Sequence, residues 1–527
     1  MSGTAVEHRG PLAGTTLASP GSMIVPVAVA ALATATILLG WQGEDMPAQL
    51  YRVDLVRAAG LTLWNNGWYG GHATLSYSVL FPLLASVFGL YSIAIGSVLL
   101  ATLSVDRLLR PRAGAWGGFA ALVFGLGITS NVVIGRLTFL LGFALGVAAL
   151  WAFDRGHLVV ACALAVTCGL SSPVAAAFVA LAGLAVAVAT RRRVDGVVLA
   201  VSAIAAPFVV MLREPVTGDF PYRFDVLTLT LLGAALVAAF TRVRTLRVMA
   251  ALYAVACIGF FFVPNSMGGN ACRLAMYCTF PALAVVSRMP RWMVLVVIAP
   301  LALAWQWIPA WDAIAKQDPG EKASFFQPVL DYATLHLPVG ARIEIPTTAG
   351  HWEAAHVAPI VPLARGWERQ QDRQSNPIFY GPDGGIAAGD YERWLHDNAV
   401  ALVALPSVRM DFASRQEVAL LRTDPPFLQR VWTDANWIIW QVREPTPMVD
   451  GPAQLIEMTA NSLRLVFTEP GVATVRVRYT DLWDAQTGAC VSQTADGWLQ
   501  VRSSHAGGVD VHTRIAADDG CESPPGR

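Results

Sequence analysis

The chain has 527 residues, of which 55% are hydrophobic and only 14% charged, with basic and acidic residues equal in number. Soluble globular domains carry about 25% charged residues, so this composition excludes an ordinary soluble protein, and no basic tract suits nucleic acid. The zero net charge hides an asymmetry: residues 1–309 hold 19 Arg, no Lys and 10 acids, which leaves the first part basic and the remainder acidic.

In chain order, a tail (1–22) precedes eleven apolar segments near 23–41, 78–104, 115–133, 137–153, 157–169, 172–190, 194–212, 226–240, 246–264, 270–287 and 291–309. They predict a polytopic α-helical membrane protein of about 11 spans over 23–309. The segment 157–169 is short for a span of roughly 20 residues. Trp41-Gln42-Gly43 offers no small-residue cleavage site, so the first segment reads as a span, not a removed signal. Arginines recur in alternate loops: Arg107/Arg110/Arg112, Arg155, Arg191 to Arg193, Arg242/Arg244/Arg247 and Arg288/Arg291. The positive-inside rule assigns those loops to the cytoplasm. The loop bearing Glu44 and Asp45, and everything after residue 309, then face outward.

Residues 310–447 predict an α/β domain. Arg342 to Pro346 alternates as a strand does, Asp390 to Asn398 reads as a helix, and Ala399 to Leu405, the run ending at Trp432 and Trp437 to Val442 read as strands. Residues 448–527 predict a β-sandwich-like domain with strands at Leu463–Phe467, Ala473–Tyr479, Trp498–Val501 and Val509–Arg514, ending in a frayed tail from Asp518. Of seven cysteines, Cys162, Cys168 and Cys257 read as packing residues, and Cys490 and Cys521 are candidates for a disulfide if this half is extracytoplasmic.

The chemistry concentrates on the outer side. Acids at the mouth of a span are costly and therefore usually functional. Glu44 and Asp45 are candidate general bases, because partial burial raises a carboxyl towards the working pH. They can equally be interfacial acids paired with Arg52 or Arg57, on the polar side of an amphipathic surface helix expected over Leu50–Leu63. Trp64, Trp68, Tyr69, His72 and Tyr77 follow in a glycine-bearing stretch. They read either as an aromatic belt or as a platform for a saccharide or lipid headgroup. Arg136, and Arg273 beside Asn270 in a Gly-Gly-Asn break, are placed to stabilise a departing phosphate, or else to snorkel to headgroups. In the soluble half, His351 and Trp352, then Arg365 and Glu368, combine aromatic and charged residues in loops that could cap the membrane site.

The acidic pair after the first span, then Gly60-x-x-x-Trp64-x-x-x-Trp68-Tyr69-Gly70-Gly71-His72 and Tyr77-x-x-x-x-Pro82 entering the second, resembles the first outer loop of GT-C-class glycosyltransferases. More narrowly, the loop is similar to relatives of the arabinosyl- and mannosyltransferases of actinobacterial cell envelopes. The resemblance covers that loop and the topology. It implies a polyprenyl-phosphate sugar donor, a glycan or glycolipid acceptor and membrane lipids as partners, with Asp45 as base and Glu44 beside it. Arg136, Arg273 and Arg52 are then expected at the donor phosphate. The remaining named residues (Trp64, Trp68, Tyr69, His72, Tyr77, Asn270, His351, Trp352, Arg365 and Glu368) are expected at the substrates. The resemblance makes no cofactor certain and leaves a divalent metal open; a second outer acidic motif of the strictly metal-dependent kind is missing. The rival classes are a lipid or polysaccharide transporter or flippase, and a non-catalytic scaffold for envelope assembly.

Overall fold

The computed structural model describes residues 23–213, 218–315, 318–381 and 386–514. The N-terminal tail, Cys521 and the expected frayed tail lie outside them. The apolar half folds into helices: α1 (Ile24–Leu38), α2 (Met46–Ala59), α3 (Leu80–Phe88), α4 (Leu90–Ala113), α5 (Ala115–Ile128), α6 (Ser130–Ile134), α7 (Leu137–Asp154), α8 (Leu158–Ser171), α9 (Pro173–Ala189), α10 (Arg193–Arg213), α11 (Phe224–Phe240), α12 (Arg244–Phe262) and α13 (Arg273–Val286). A last helical segment runs Arg291–Ala315. Among the described residues six helices are long and apolar enough to cross a membrane, and α1, α8, α9 and α11 are shorter apolar helices. At 1.5 Å per residue a helix of 14 to 17 residues falls short of a hydrocarbon core about 30 Å thick. The chain is thus a multi-pass membrane protein in which several apolar helices are individually too short to span upright.

The arginine-bearing turns gather at one end of the bundle. Arg112 pairs with Asp154 at 2.5 Å, and Arg192 donates to the Phe153 carbonyl. The Trp116 indole donates to the Ala284 carbonyl, and Arg242 and Arg288 exchange backbone bonds with Val286 and Phe240. The opposite end meets the soluble half: Arg373 lies 3.5 Å from Asp219, and Gln370 donates to the Ser266 carbonyl at 3.5 Å.

The soluble half has two sheet systems. Between them and the membrane bundle lies a two-stranded ribbon, β1 (Trp64–Asn65) and β2 (His72–Ala73). The α/β unit holds β3 (Arg342–Glu344), β4 (Val400–Pro406), β5 (Leu428–Thr433) and β6 (Trp437–Val442), in the order β3-β4-β6-β5. The β3–β4 pair is parallel and the others antiparallel. β4 is buried at every position, as expected of the uniformly apolar run Val400–Pro406. The last unit is a pair of four-stranded antiparallel sheets. One joins β12 (Ala489–Gln493), β13 (Trp498–Ser503), β10 (Gly471–Arg478) and β7 (Val449–Asp450). The other joins β11 (Trp483–Ala485), β14 (Gly507–Thr513), β9 (Ser462–Phe467) and β8 (Ala453–Met458). Four strands expected from alternation are present, and four shorter or irregular ones join them. Cys490, on β12, is disulfide-bonded.

Two expectations for the first outer loop are corrected. α2 begins at Met46 and does not lie loose on a surface: Met46 to Gln49 and Tyr51 to Val53 are buried. The aromatic stretch is no interfacial belt. Trp68 is fully buried, stacked on Tyr51 at 4.2 Å and on His72 at 5.2 Å. Gly67 accepts from the Leu363 amide, Gly70 from the Arg478 amide, and Asn66 bonds Ala460 and Thr459. One short loop therefore ties the membrane bundle to both sheet systems. A side chain at Gly366 would meet Trp68 at 2.6 Å, so the close approach requires glycine there. We expect Trp68→Ala to cost about 3–5 kcal/mol, read as a lowered thermal midpoint in detergent and as faster proteolytic release of the soluble half.

Candidate active site

The loop Gly43–Asp45 is stitched to the turn between α6 and α7. The Gly43 amide donates to the Val133 carbonyl at 2.8 Å, and the Asp45 amide to Ile134 at 3.0 Å. Glycines on both sides make this possible. A Cβ on Gly43 would meet Ile134 at 2.8 Å, and one on Gly135, at φ +90°, would meet the Met46 amide at 2.3 Å. The approach brings Arg136, at the start of α7, onto Asp45, at the start of α2: Nε to Oδ2 is 2.9 Å. Asp45 thus pairs with Arg136, not with Arg52 or Arg57. Arg57 pairs with Asp54 in the open. Arg52 turns inward, where it pairs with Glu368 and its guanidinium lies 3.8 Å over the Tyr77 ring.

A cavity of about 310 Å³ opens beside this cluster, at the lower end of ligand-pocket sizes. One side is apolar, with Leu170, Val174, Pro207, Val210 and Met211, next to the exposed Phe208 and Val209 of α10. Its polar end carries Tyr77, Asn270, Arg273, Glu368 and Gln370. The short 3-10 turn Gly268–Cys272 contributes Asn270 to that end, a break from α-helix of the kind expected where chain lines a cavity. Arg273 lies 4.8 Å over the Phe139 ring. Among the described residues its guanidinium has no ion-pair or hydrogen-bond partner. It is a cation at the polar end of a groove that is otherwise greasy.

Glu44 points the other way, onto a crevice of about 50 Å³ shared with Asp312, Asp318, Glu321, Trp352 and Arg409. Enclosure by surrounding protein, then the charge of Asp45, hold its carboxyl above the ordinary range, although its surface remains open to solvent. Among the described residues no group of three or more His, Cys, Asp and Glu side chains is arranged so that it could hold a metal ion.

Of the residues expected at the substrates, the fold brings Tyr77, Asn270 and Glu368 to the cavity with Arg273. The others are corrected. Trp64 is buried against the terminal sandwich, with its ring edge on Trp483 at 6.4 Å. Trp68, Tyr69 and His72 form the buried stack, and burial holds the His72 imidazole down at about 4. Trp352 is buried against His356. His351 is buried, its Nε2 3.7 Å from Asp411 and 3.4 Å from Arg369. Arg365 is enclosed among Asp372 at 2.6 Å, Glu417 at 3.3 Å and Glu344 at 3.9 Å. These side chains are buried, and none of them lines the cavity. Gln370, Gln371, Thr138 and Phe139 line the cavity without having been anticipated. Their types are ordinary, and only the fold converges them.

The Arg365 cluster sets three buried carboxyls against one guanidinium. Burial first and the charge of Glu417 second push the Glu344 carboxyl far above its ordinary range. Burial pushes Glu417 up to about 7, opposed by Arg365 and a hydrogen bond from Tyr391. Such a pair holds a proton in the folded state.

No family model matches the chain, and no curated protein matches it. It is similar to solved structures of the arabinofuranosyltransferase AftD from Mycobacteria, at 13% identity and a TM-score of 0.47, over 96% of this chain and 60% of that one. The chain thus spans about 60% of AftD. It is also similar to ArnT from Cupriavidus metallidurans in the apo state, at 14% identity and a TM-score of 0.46, over 79% of this chain and 97% of that one. The same protein bound to undecaprenyl phosphate gives 12% identity and a TM-score of 0.44, over 80% and 98%. Likenesses at that level carry no functional inference; the cavity does.

Raised carboxyls in the folded state stabilise it fully below their unfolded value and lose that contribution as pH rises through the folded value. This pair should therefore make the thermal midpoint slope downward as pH climbs from about 4.5 through about 7, against the upward slope that the lowered His72 gives below its ordinary value. Glu344→Gln should flatten that slope in a melting series from pH 5 to 8; an unchanged slope would assign the titration elsewhere.

Proposed function

We propose that this protein transfers a sugar from a polyprenyl-phosphate donor to a hydroxyl of a cell-envelope glycan or glycolipid, on the outer face of a bacterial plasma membrane. The observation that carries this reading is the groove lined by Tyr77 and Glu368: apolar along one side, next to the exposed Phe208 and Val209, with the cation Arg273 at its polar end; Asp45 is not among its lining residues. A polyprenyl phosphate has that same division between a long hydrocarbon and a charged head. Segregation of the arginine-bearing turns to the end opposite the soluble half supports the outward orientation.

In this mechanism Asp45 removes the proton from the acceptor hydroxyl. The oxygen bonds to the anomeric carbon from the face opposite the phosphate, the carbon–oxygen bond to phosphate breaks, and polyprenyl phosphate leaves with inversion at that carbon. Arg136 fixes the direction of the Asp45 carboxylate through its Nε, and Arg273 takes up the charge that develops on the leaving phosphate. Asn270 and Glu368 offer hydrogen-bonding partners for the sugar. The buried Trp64, Trp68 and His72 serve the frame. No step calls for a metal ion.

Asp45→Asn should fold normally and lose transfer by about 10²–10⁴-fold, the range of a general base. Arg273→Ala should weaken undecaprenyl phosphate binding by about 10- to 100-fold, as loss of a charge-assisted contact does. Transfer that survives in Asp45→Asn would falsify the assigned base.

A further inference from the structure

The acid-bearing loop is held from two sides. Its amides at Gly43 and Asp45 donate to the α6–α7 turn, as described above. On its other side the Glu44 carbonyl accepts from the indole N–H of Trp367 at 2.8 Å. Trp367 belongs to the soluble half, more than 300 positions away.

We propose that Trp367 is a positioning residue for Asp45, and that it makes correct aim of the catalytic loop conditional on docking of the soluble half; this rests on the transferase reading. The peptide plane between residues 44 and 45 carries both the Glu44 carbonyl and the Asp45 amide. Fixing the carbonyl from above and the amide from below leaves that plane no freedom to turn, so the Asp45 side chain leaves the backbone in one direction. Without the indole contact the plane hangs on its membrane-side bonds alone.

Trp367 is itself held rigidly. It lies within the five-residue strap Arg365–Arg369, anchored at both ends. Arg365 is buried in its carboxyl cluster with its guanidinium 3.8 Å from the Phe379 ring. Arg369 makes two bonds to Asp411, at 2.8 and 2.9 Å. Between the anchors, Gly366 packs on Trp68 and Glu368 pairs with Arg52 of α2. The Trp367 ring also meets the edge of Tyr77 at 6.0 Å, and Tyr77 lines the groove. The strap thus touches the base-bearing loop and the groove together, while its own geometry is set by the core of the soluble half.

The test uses the full chain in nanodiscs and Trp367→Phe, which keeps the ring and removes the donor, with Trp367→His as a second variant that retains an N–H. Four quantities are read: thermal midpoint, undecaprenyl phosphate affinity, hydrogen exchange of the segment 43–46, and transfer from decaprenyl-phosphoryl arabinose or mannose to a synthetic glycoside acceptor. Loss of one hydrogen bond corresponds to up to about tenfold in an equilibrium. Trp367→Phe should therefore speed exchange at 43–46 by about that factor and lower kcat comparably, with KM, lipid affinity and midpoint kept, and Trp367→His should recover part of both losses. Unchanged exchange and kcat in Trp367→Phe overturn the proposal. So does a lowered midpoint with kcat and KM moving together, which marks a packing role. If the wild-type chain transfers from neither donor, the transferase reading is what fails, and the exchange measurement alone decides whether Trp367 restrains the loop.

Discussion

The contact on which the candidate site depends is the approach of two backbone turns that carry no side chain where they meet. Gly43 and Gly135 let the loop after α1 lie against the turn between α6 and α7, closer than any Cβ would permit. That approach makes the two amide bonds and sets Asp45 against Arg136 at 2.9 Å. An ion pair at the edge of a bilayer has to offset the desolvation of both partners. Here the backbone fixes the geometry first, so little side-chain freedom is lost in forming it. Arg136 engages Asp45 through its Nε, an arrangement that orients the carboxylate without surrounding it.

The aromatic stretch after α2 has a different task from the one its composition suggests. Tryptophans and glycines close together fit a sugar platform, but these rings are sealed. Trp68 lies between Tyr51 and His72, with Gly366 of the soluble half over it. The same loop bonds the α/β unit at Leu363 and the terminal sandwich at Ala460 and Arg478. The glycines are needed, as close backbone approach demands, but what approaches is another part of the same chain. The outcome is a membrane bundle and a soluble half that share one hydrophobic core around the loop.

The groove at this junction combines two solvents. α10 and the α8–α9 turn give it an apolar, lipid-facing flank, and the Gly268–Cys272 break supplies a polar end with Arg273. Arg52, by contrast, is taken up by Glu368 and Tyr77. Two arginines on the same side of the membrane thus differ completely in availability, because one has a carboxylate within reach and the other has the edge of a cavity.

What the sequence determined by itself follows from short-range rules. Apolar runs and arginine-bearing loops announced the helices and their common end; period-two alternation marked β3 and the longer strands of the terminal sandwich, and an apolar run marked β4; an acid beside a span marked Asp45 as costly and worth attention. Each depends on spacing along the chain or on the price of a charge near hydrocarbon, and both can be counted. What only the tertiary structure decided is which polar and aromatic groups remain accessible. Arg365, His351 and Trp68 have the same composition-level promise as Arg273 and Tyr77, yet the first three are enclosed by segments up to about 300 residues distant, and the last two border open space. Burial is a property of the whole packing, and so is the partner each charge finds. The choice between frame and site was settled where distant parts of the chain meet.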